Sequence, residues 1–192
     1  MSDEDRQRWN ARYRQGRHAG EEPWDALVQL AEHLPAEGRV LDVAGGAGRH
    51  AVWMAQRGLD VTLADISEAG LALAVAAATV RGVEVRVCTV DLEQDPLPPG
   101  PWAAVVCCAY LQRDLVPSIA AALAPGGRFL WVHPTVTNLE RHAKPSARFL
   151  LERGEASGVV EAAGLRVLMA EETWVGDADS ARHVSRVVAE RA

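Results

Sequence analysis

The sequence predicts an α/β fold, a mostly parallel sheet with helices on both faces, and three observations carry the prediction. Strand-like and helix-like runs alternate five times between Arg39 and His133, as they do when parallel strands are joined by helical crossovers. The first alternation contains a strand, a tight glycine turn and a helix start, Arg39-Val-Leu-Asp-Val-Ala-Gly-Gly-Ala-Gly-Arg-His50. The last third closes on two alternating runs joined by a polar loop, which reads as a terminal antiparallel pair. At 192 residues and 48% hydrophobic composition, the length favours one domain over residues 1–192, with an N-terminal helical extension (1–35) and a core (36–192).

The extension comes first. Asp3–Arg17 has helical spacing, and Trp9 and Tyr13 form an i,i+4 aromatic pair on one face. Pro23–Leu34 predicts a second helix, with Trp24, Leu27, Leu30, Ala31 and Leu34 on one face and Pro35 ending it. Trp9 and Tyr13 fit either of two roles, docking onto the core or forming a lid over a bound ligand.

Arg39–Val43 is a short buried strand announced by Gly38. It enters the turn of Gly45, Gly46 and Gly48, and Ala47–Arg57 follows as a helix closed by Gly58. Backbone N–H groups at such a turn make a cradle for a nucleotide. The spacing Gly46-Ala47-Gly48-Arg49-His50-Ala51 fits a dinucleotide pattern only weakly. Asp42 shifts the balance. A carboxylate at the strand end would repel a pyrophosphate by several kcal/mol where both are poorly solvated, and it would attract an ammonium or a sulfonium. S-adenosylmethionine carries both and no phosphate, so Asp42 favours it over NAD.

Asp60–Asp65 is a second buried strand ending in an acid, 19 residues beyond Gly46, where doubly wound sheets bind ribose hydroxyls. Ser67–Arg81 is an alanine-rich helix closed by Gly82, and Val83–Thr89 is the third strand. Asp91, just past it, is placed to meet an exocyclic adenine amine, and Asp95–Gly100 is loop. Trp102–Ala109 is a near-continuous apolar run suited to a central parallel strand. Cys107 and Cys108 are adjacent in it and face opposite sides, which argues against joint metal binding. A helix over Leu115–Leu123, a turn at Ala124–Gly127 and a fifth strand over Arg128–His133 complete the alternation. Pro134–Arg153 reads as mostly loop, Gly154–Ala163 as a helix, and Leu165–Trp174 and His183–Glu190 as strands flanking the loop Val175–Ala181.

Composition narrows the function. A formal net charge of −6 with scattered arginines argues against a nucleic-acid partner. The longest apolar run, roughly Gly70–Val80, is far short of the ~18 residues a membrane span needs. The first residues carry no apolar leader-like stretch, and three cysteines without a disulfide or zinc spacing fit a cytoplasmic protein. A Tyr-x-x-x-Lys pair, expected of one NAD(P) oxidoreductase class, is absent, Lys144 being the sole lysine. A cofactor-binding module without turnover stays open, as does the oligomeric state.

Taken together, Asp42-Val-Ala-Gly-Gly-Ala-Gly48, Asp65, Asp91 and Leu123-Ala-Pro-Gly-Gly-Arg128 resemble the motif series of class I S-adenosylmethionine-dependent methyltransferases over about residues 38–133. The resemblance implies a Rossmann-like methyltransferase fold, seven strands ordered 3-2-1-4-5-7-6 with strand 7 antiparallel. Ala44 stands where that family usually has glycine, and tighter cofactor packing is the expected result. Trp9-Asn-Ala-Arg-Tyr13, Pro23-Trp24, Tyr110-Leu-Gln-Arg113 and Arg148-Phe-Leu-Leu-Glu-Arg-Gly-Glu155 are similar to segments of the tellurite-resistance methyltransferases. That likeness implies a small soft acceptor: a thiol, or a selenium or tellurium oxyanion. His133 and Arg153 depart from its pattern, where relatives carry an acid and a proline.

The expected cofactor site comprises Trp9, Tyr13, Asp42, Ala44, Gly45, Gly46, Gly48, Asp65, Ile66, Asp91, Leu92 and Cys107, holding S-adenosylmethionine and releasing S-adenosylhomocysteine. The expected acceptor side draws on Arg12, Tyr110, Arg113, His133 and Thr135, with Arg113 positioning an anionic small molecule, Tyr110 beside it and His133 orienting it. No metal site is expected; an O- or N-acceptor is the alternative.

Overall fold

A computed structural model describes residues 3–16, 20–177 and 180–192. Its sheet runs β3-β2-β1-β4-β5-β7-β6, built from β1 (Arg39–Val43), β2 (Asp60–Asp65), β3 (Arg86–Thr89), β4 (Trp102–Cys108), β5 (Leu123–Pro134), β6 (Arg166–Val175) and β7 (Arg182–Glu190). The first five strands pair in parallel. β7 lies antiparallel between β5 and β6. The expected order and the reversed strand are both present.

Alternation along each strand divides the apolar residues between two cores. Val40, Ala104, Val106, Cys108 and Leu130 face one side, against α3 (Arg49–Gln56), α4 (Glu68–Val80) and the N-terminal Leu27 and Leu30. Leu41, Val43, Val105, Cys107, Phe129 and Trp131 face the other, against α5 (Val116–Ala122) and α6 (Glu155–Ala162). Parallel strands covered on both faces give up the usual polar alternation, which is why β1 and β4 read as continuous apolar runs.

Several boundaries differ from the sequence reading. The expected helix over Pro23–Leu34 is a short α2 (Asp25–Val28) and a 3-10 turn (Ala31–His33). The Leu30 N–H donates to the Leu27 carbonyl at 2.8 Å, and this three-residue spacing puts Leu27 and Leu30 on one buried face. The third strand begins only at Arg86. The turn expected at Ala124–Gly127 is drawn into the start of β5, where Gly126 is left-handed (φ 73°) and its N–H donates to the Arg191 carbonyl at 2.8 Å. Within Pro134–Arg153, Val136–Glu140 and Ala147–Phe149 form 3-10 turns. No described helix is long and apolar enough to cross a membrane.

The first helix, α1 (Asp3–Arg14), lies against α4; its expected last residue, Arg17, falls outside the described residues. Asn10 is the anchor. Its buried Oδ1 accepts from Ser67 Oγ at 2.7 Å and from the Ala69 N–H at 3.0 Å, while Ser67 Oγ accepts from the Gly70 N–H at 3.2 Å. One side chain of α1 thus completes the N-terminal cap of α4. Asn10→Ala strands a part-buried donor and should cost about 1–3 kcal/mol in urea-induced unfolding. Wild-type stability in the variant would show that α1 docks by other means.

Candidate functional site

The strand order reverses between β1 and β4, and ligands of open α/β sheets bind outside the strand C-termini at such a point. A cleft lies there, lined by Trp9, Tyr13, Ala44, Gly45, Ala47, Arg49, His50, Asp65, Ile66, Cys108, Ala109 and Tyr110. Its enclosed volume is about 170 Å³, and about 790 Å³ when space open to solvent is counted.

The glycine turn has no room for side chains. A Cβ on Gly45 would lie 2.4 Å from Asp42 Oδ2, one on Gly46 2.0 Å from the Tyr13 hydroxyl, and one on Gly48 2.4 Å from the Ala74 Cβ. Gly46 and Gly48 are also left-handed, with φ of 58° and 79°. Among the described residues, Ala44 (φ 54°) and Ala109 (φ 57°) are the two non-glycine residues in this conformation, and both line the cleft. Each carries roughly 1–2 kcal/mol of backbone strain, and strain of this kind gathers at functional sites. A left-handed backbone at position 44 is one that glycine adopts without this strain.

Asp42 does not line the cleft. It is fully buried beneath Gly45, and neither carboxylate oxygen has a hydrogen-bond partner. Burial raises its pKa to about 7, with Asp65 adding to the rise and the Ala51 amide and Arg49 opposing it. Asp65, by contrast, is clasped. Oδ2 accepts from the Gly46 N–H at 2.9 Å and Oδ1 from the Ser67 N–H at 2.8 Å. Burial raises its pKa and these amides oppose the rise. Each oxygen keeps a lone pair for a ligand hydroxyl.

Trp9 and Tyr13 stack with centroids 5.9 Å apart at the cleft rim. Burial pushes the Tyr13 phenol up, with Asp65 adding to the rise. Arg12 stands 4.8 Å over the Trp9 ring. Tyr110 lines the opposite side, donating to Gln112 Oε1 at 2.6 Å while Gln112 Nε2 donates to the Leu92 carbonyl at 3.0 Å.

Several expected site residues lie elsewhere. Cys107 faces the α5–α6 core, its thiol 3.5 Å from the Tyr110 carbonyl, and Cys108 takes the cleft position. Leu92 is core. Asp91 lies outside the cleft lining and braces its own loop, accepting from the Glu93 N–H at 3.1 Å and Gln94 Nε2 at 2.7 Å. Arg113 grips Glu155 through Nε and, at 3.0 Å, through a terminal nitrogen. That pair offsets the charge meant for an acceptor. His133 is buried behind it, its Nε2–H donating to the Phe149 carbonyl at 3.0 Å and its Nδ1 without a partner. Burial lowers its pKa to about 4. Thr135 shares a 2.7 Å hydrogen bond with His183 Nδ1. Sequence reasoning passed over Arg49, which pairs with Glu21 at 2.8 Å, and His50. The signal for His50 was a polar residue at the N-terminal end of the apolar run of α3.

Residues 40–127 match a family model described as a methyltransferase domain. No curated protein sequence matches the chain. One similar solved structure is a protein from work on conversion of a disulfide bond into a thioacetal group during echinomycin biosynthesis. It has a TM-score of 0.75 and 18% identity over 97% of this chain and 92% of its own. TehB from Haemophilus influenzae has a TM-score of 0.70 and 17% identity, covering 96% of this chain and 67% of its own. A TehB-like S-adenosylmethionine-dependent methyltransferase from Corynebacterium glutamicum covers both chains fully, with a TM-score of 0.69 and 18% identity.

Asp42 makes stability depend on pH. Its folded pKa is raised from 3.8 to about 7, so its contribution to stability is fully present below the unfolded value and is lost as pH rises to 7. The loss is about 4 kcal/mol as an upper bound. Asp42→Asn should therefore be more stable than wild type in thermal unfolding at pH 8, with the difference shrinking toward pH 4. A difference independent of pH would contradict the burial argument.

Proposed function

We propose that this chain, a methyltransferase whose cofactor is S-adenosylmethionine, acts on a small acceptor that arrives already nucleophilic: a thiol ionised at neutral pH, or a selenium or tellurium oxyanion. The observation that carries the proposal is the absence of a poised base among the described cleft residues. His50 is pushed down to about 3, first by burial and then by Arg49, and is a weak base. Burial pushes the Tyr13 and Tyr110 phenols up, so neither becomes a phenolate near neutrality. Asp65 is engaged by backbone amides. General-base catalysis calls for a group titrating near the working pH, and Asp42, which burial raises to about 7, lies under the turn. An alcohol would need its proton removed; a thiolate or oxyanion would not. The fold neighbour from disulfide-to-thioacetal conversion offers a precedent in sulfur chemistry.

The residues fit the cofactor. The uncompensated Asp42 carboxylate under Gly45 suits a cationic ligand, and Asp65 beside Gly46 suits ribose hydroxyls. When bound, the cofactor supplies an activated methyl group on a sulfonium. The chain's part is then alignment and exclusion of water, which together account for much of such a rate. Tyr110, held by Gln112, faces the acceptor side. Trp9 and Tyr13 on α1 form the lid, anchored through Asn10. Arg113, committed to Glu155, ties the loop after β4 to α6 and bears on the acceptor only from behind.

Release of S-adenosylhomocysteine with small thiols, selenite, tellurite and phenols, followed across pH, tests the acceptor. The rate should track ionisation of the acceptor. Activity confined to phenols, or dependent on an added divalent cation, would contradict the reading. On the cofactor side, Asp65→Ala should weaken S-adenosylhomocysteine binding in calorimetry by ~10-fold to ~100-fold, the loss of one or two charged hydrogen bonds. Undiminished affinity in a folded variant would reduce Asp65 to a brace for the turn.

A further inference from the structure

Arg113, expected to position an anionic acceptor, is held by Glu155, but unpaired cations lie on the segment after β5. From Arg141 to Leu151 the chain carries Arg141, Lys144 and Arg148 and no acid, in a protein of formal net charge −6. The arginines flanking that run pair with carboxylates, Arg113 with Glu155 and Arg153 with Glu140. None of the three has a carboxylate partner among the described residues. Arg141 stacks over the Trp174 ring at 3.9 Å and Arg148 over the Phe149 ring at 4.5 Å instead. A guanidinium lying on a ring keeps its in-plane N–H groups for an anion and presents them as a fixed fork.

The two rings stand at different distances from the cleft. Trp174 is near the end of β6, at the edge of the sheet. Phe149 lies at the end of β5, one strand from β4, after which Cys108, Ala109 and Tyr110 line the cleft. The Phe149 carbonyl accepts from His133 Nε2–H at 3.0 Å, and the Leu150 carbonyl from Arg113 Nη2 at 3.4 Å. The Leu151 N–H donates to the Pro134 carbonyl at 3.1 Å. These bonds fix the backbone beneath Arg148, although Phe149 itself is 51% exposed. Adjacent strands are about 4.8 Å apart, less than the length of an arginine side chain, so Arg148 is within reach of a molecule on the acceptor side.

We propose that the acceptor is an organic thiol bearing a second, unreactive anionic group such as a carboxylate, and that Arg148 holds that group while the sulfur faces the cofactor. The thiolate sulfur forms a bond to the methyl carbon as the bond from that carbon to the sulfonium breaks. The electron pair stays on the departing S-adenosylhomocysteine sulfur, and the anionic group leaves unchanged. Lys144 and Arg141 extend the positive field along the same acid-free run. The proposal rests on the reading of the acceptor as already nucleophilic, and narrows it to a thiol.

The test compares mercaptopropionate with mercaptopropanol, which differ in the charge of one end. The readout is kcat/KM for S-adenosylhomocysteine release, referred to the thiolate of each. The wild-type protein should prefer mercaptopropionate, through KM, and the preference should shrink with added salt. Arg148→Gln should cut the preference about tenfold, the loss of one charged contact. Arg148→Lys keeps the charge without the fork and should restore part of it. Arg57→Gln is the matched control, because its guanidinium stacks over Trp53 at 4.9 Å at the end of α3 away from the cleft. It should keep the wild-type preference. No preference in the wild-type protein, an undiminished one in Arg148→Gln, no recovery by Arg148→Lys, or an equal fall in Arg57→Gln would overturn the assignment. Turnover of phenols with neither thiol methylated would overturn the reading of the acceptor as already nucleophilic, an outcome distinct from all of these.

Discussion

Everything at the site depends on how little space surrounds the glycine turn. Asp42 presses on Gly45 from below, the Tyr13 hydroxyl closes on Gly46 from above, and Ala74 of α4 meets Gly48 from the side. Two of these approaches come from outside the β1–turn–α3 unit, one from α1 and one from α4. Both helices close on the turn, and Asn10 joins them at the Ser67 cap. The N-terminal segment is therefore part of the site's architecture. Its placement over the cleft follows from the same contacts that dock it.

The electrostatics of the cleft follow from the same crowding. Covering Asp42 with Gly45 denies it water and leaves only the Ala51 amide and Arg49 to offset its charge, so the carboxylate approaches neutrality by binding a proton or by facing a cation across the turn. At Asp65, one strand over, burial also raises the pKa, but the Gly46 and Ser67 amides offset part of the rise. Two acids at adjacent strand ends thus meet different surroundings, one without a close hydrogen bond and one held by two backbone amides. Around them the histidine and the phenols are held in their neutral forms. Such a cleft binds and aligns far better than it moves protons.

Much of this was legible in the sequence, and the exceptions have physical causes. The strand–turn–helix unit could be read because glycine spacing, strand-terminal acids and β/α alternation are local signals, while the strand order followed from the family resemblance that those signals carry. Cys107 and Cys108 could not be told apart. β4 is buried on both faces, and a run without polar alternation carries no marker of which parity faces the cleft. Arg113 could not be seen to pair with Glu155, 42 residues away, because spacing within an element says nothing about a partner on another. The second helix breaks at Leu30, with Leu27 and Leu30 both buried, and no glycine or proline between Trp24 and Leu34 marks the break in the sequence. His50 was the readable signal passed over, a polar side chain in an otherwise apolar helix face.

The claim on which the rest turns is that Asp42, unpaired beneath the glycine turn, is the countercharge for a cationic cofactor. Calorimetric titration of S-adenosylhomocysteine near pH 7 in two buffers of different ionisation enthalpy measures the protons exchanged on binding. With its pKa at about 7 in the free protein, Asp42 is partly protonated there, and a nearby ligand ammonium lowers that pKa. Binding should then release a fraction of a proton, affinity should tighten as pH rises from 6 to 7, and Asp42→Asn should abolish the Asp42 share of the release. Identical proton exchange in wild type and Asp42→Asn would show that the buried acid does not sense the ligand, and would contradict the charge assignment at its root.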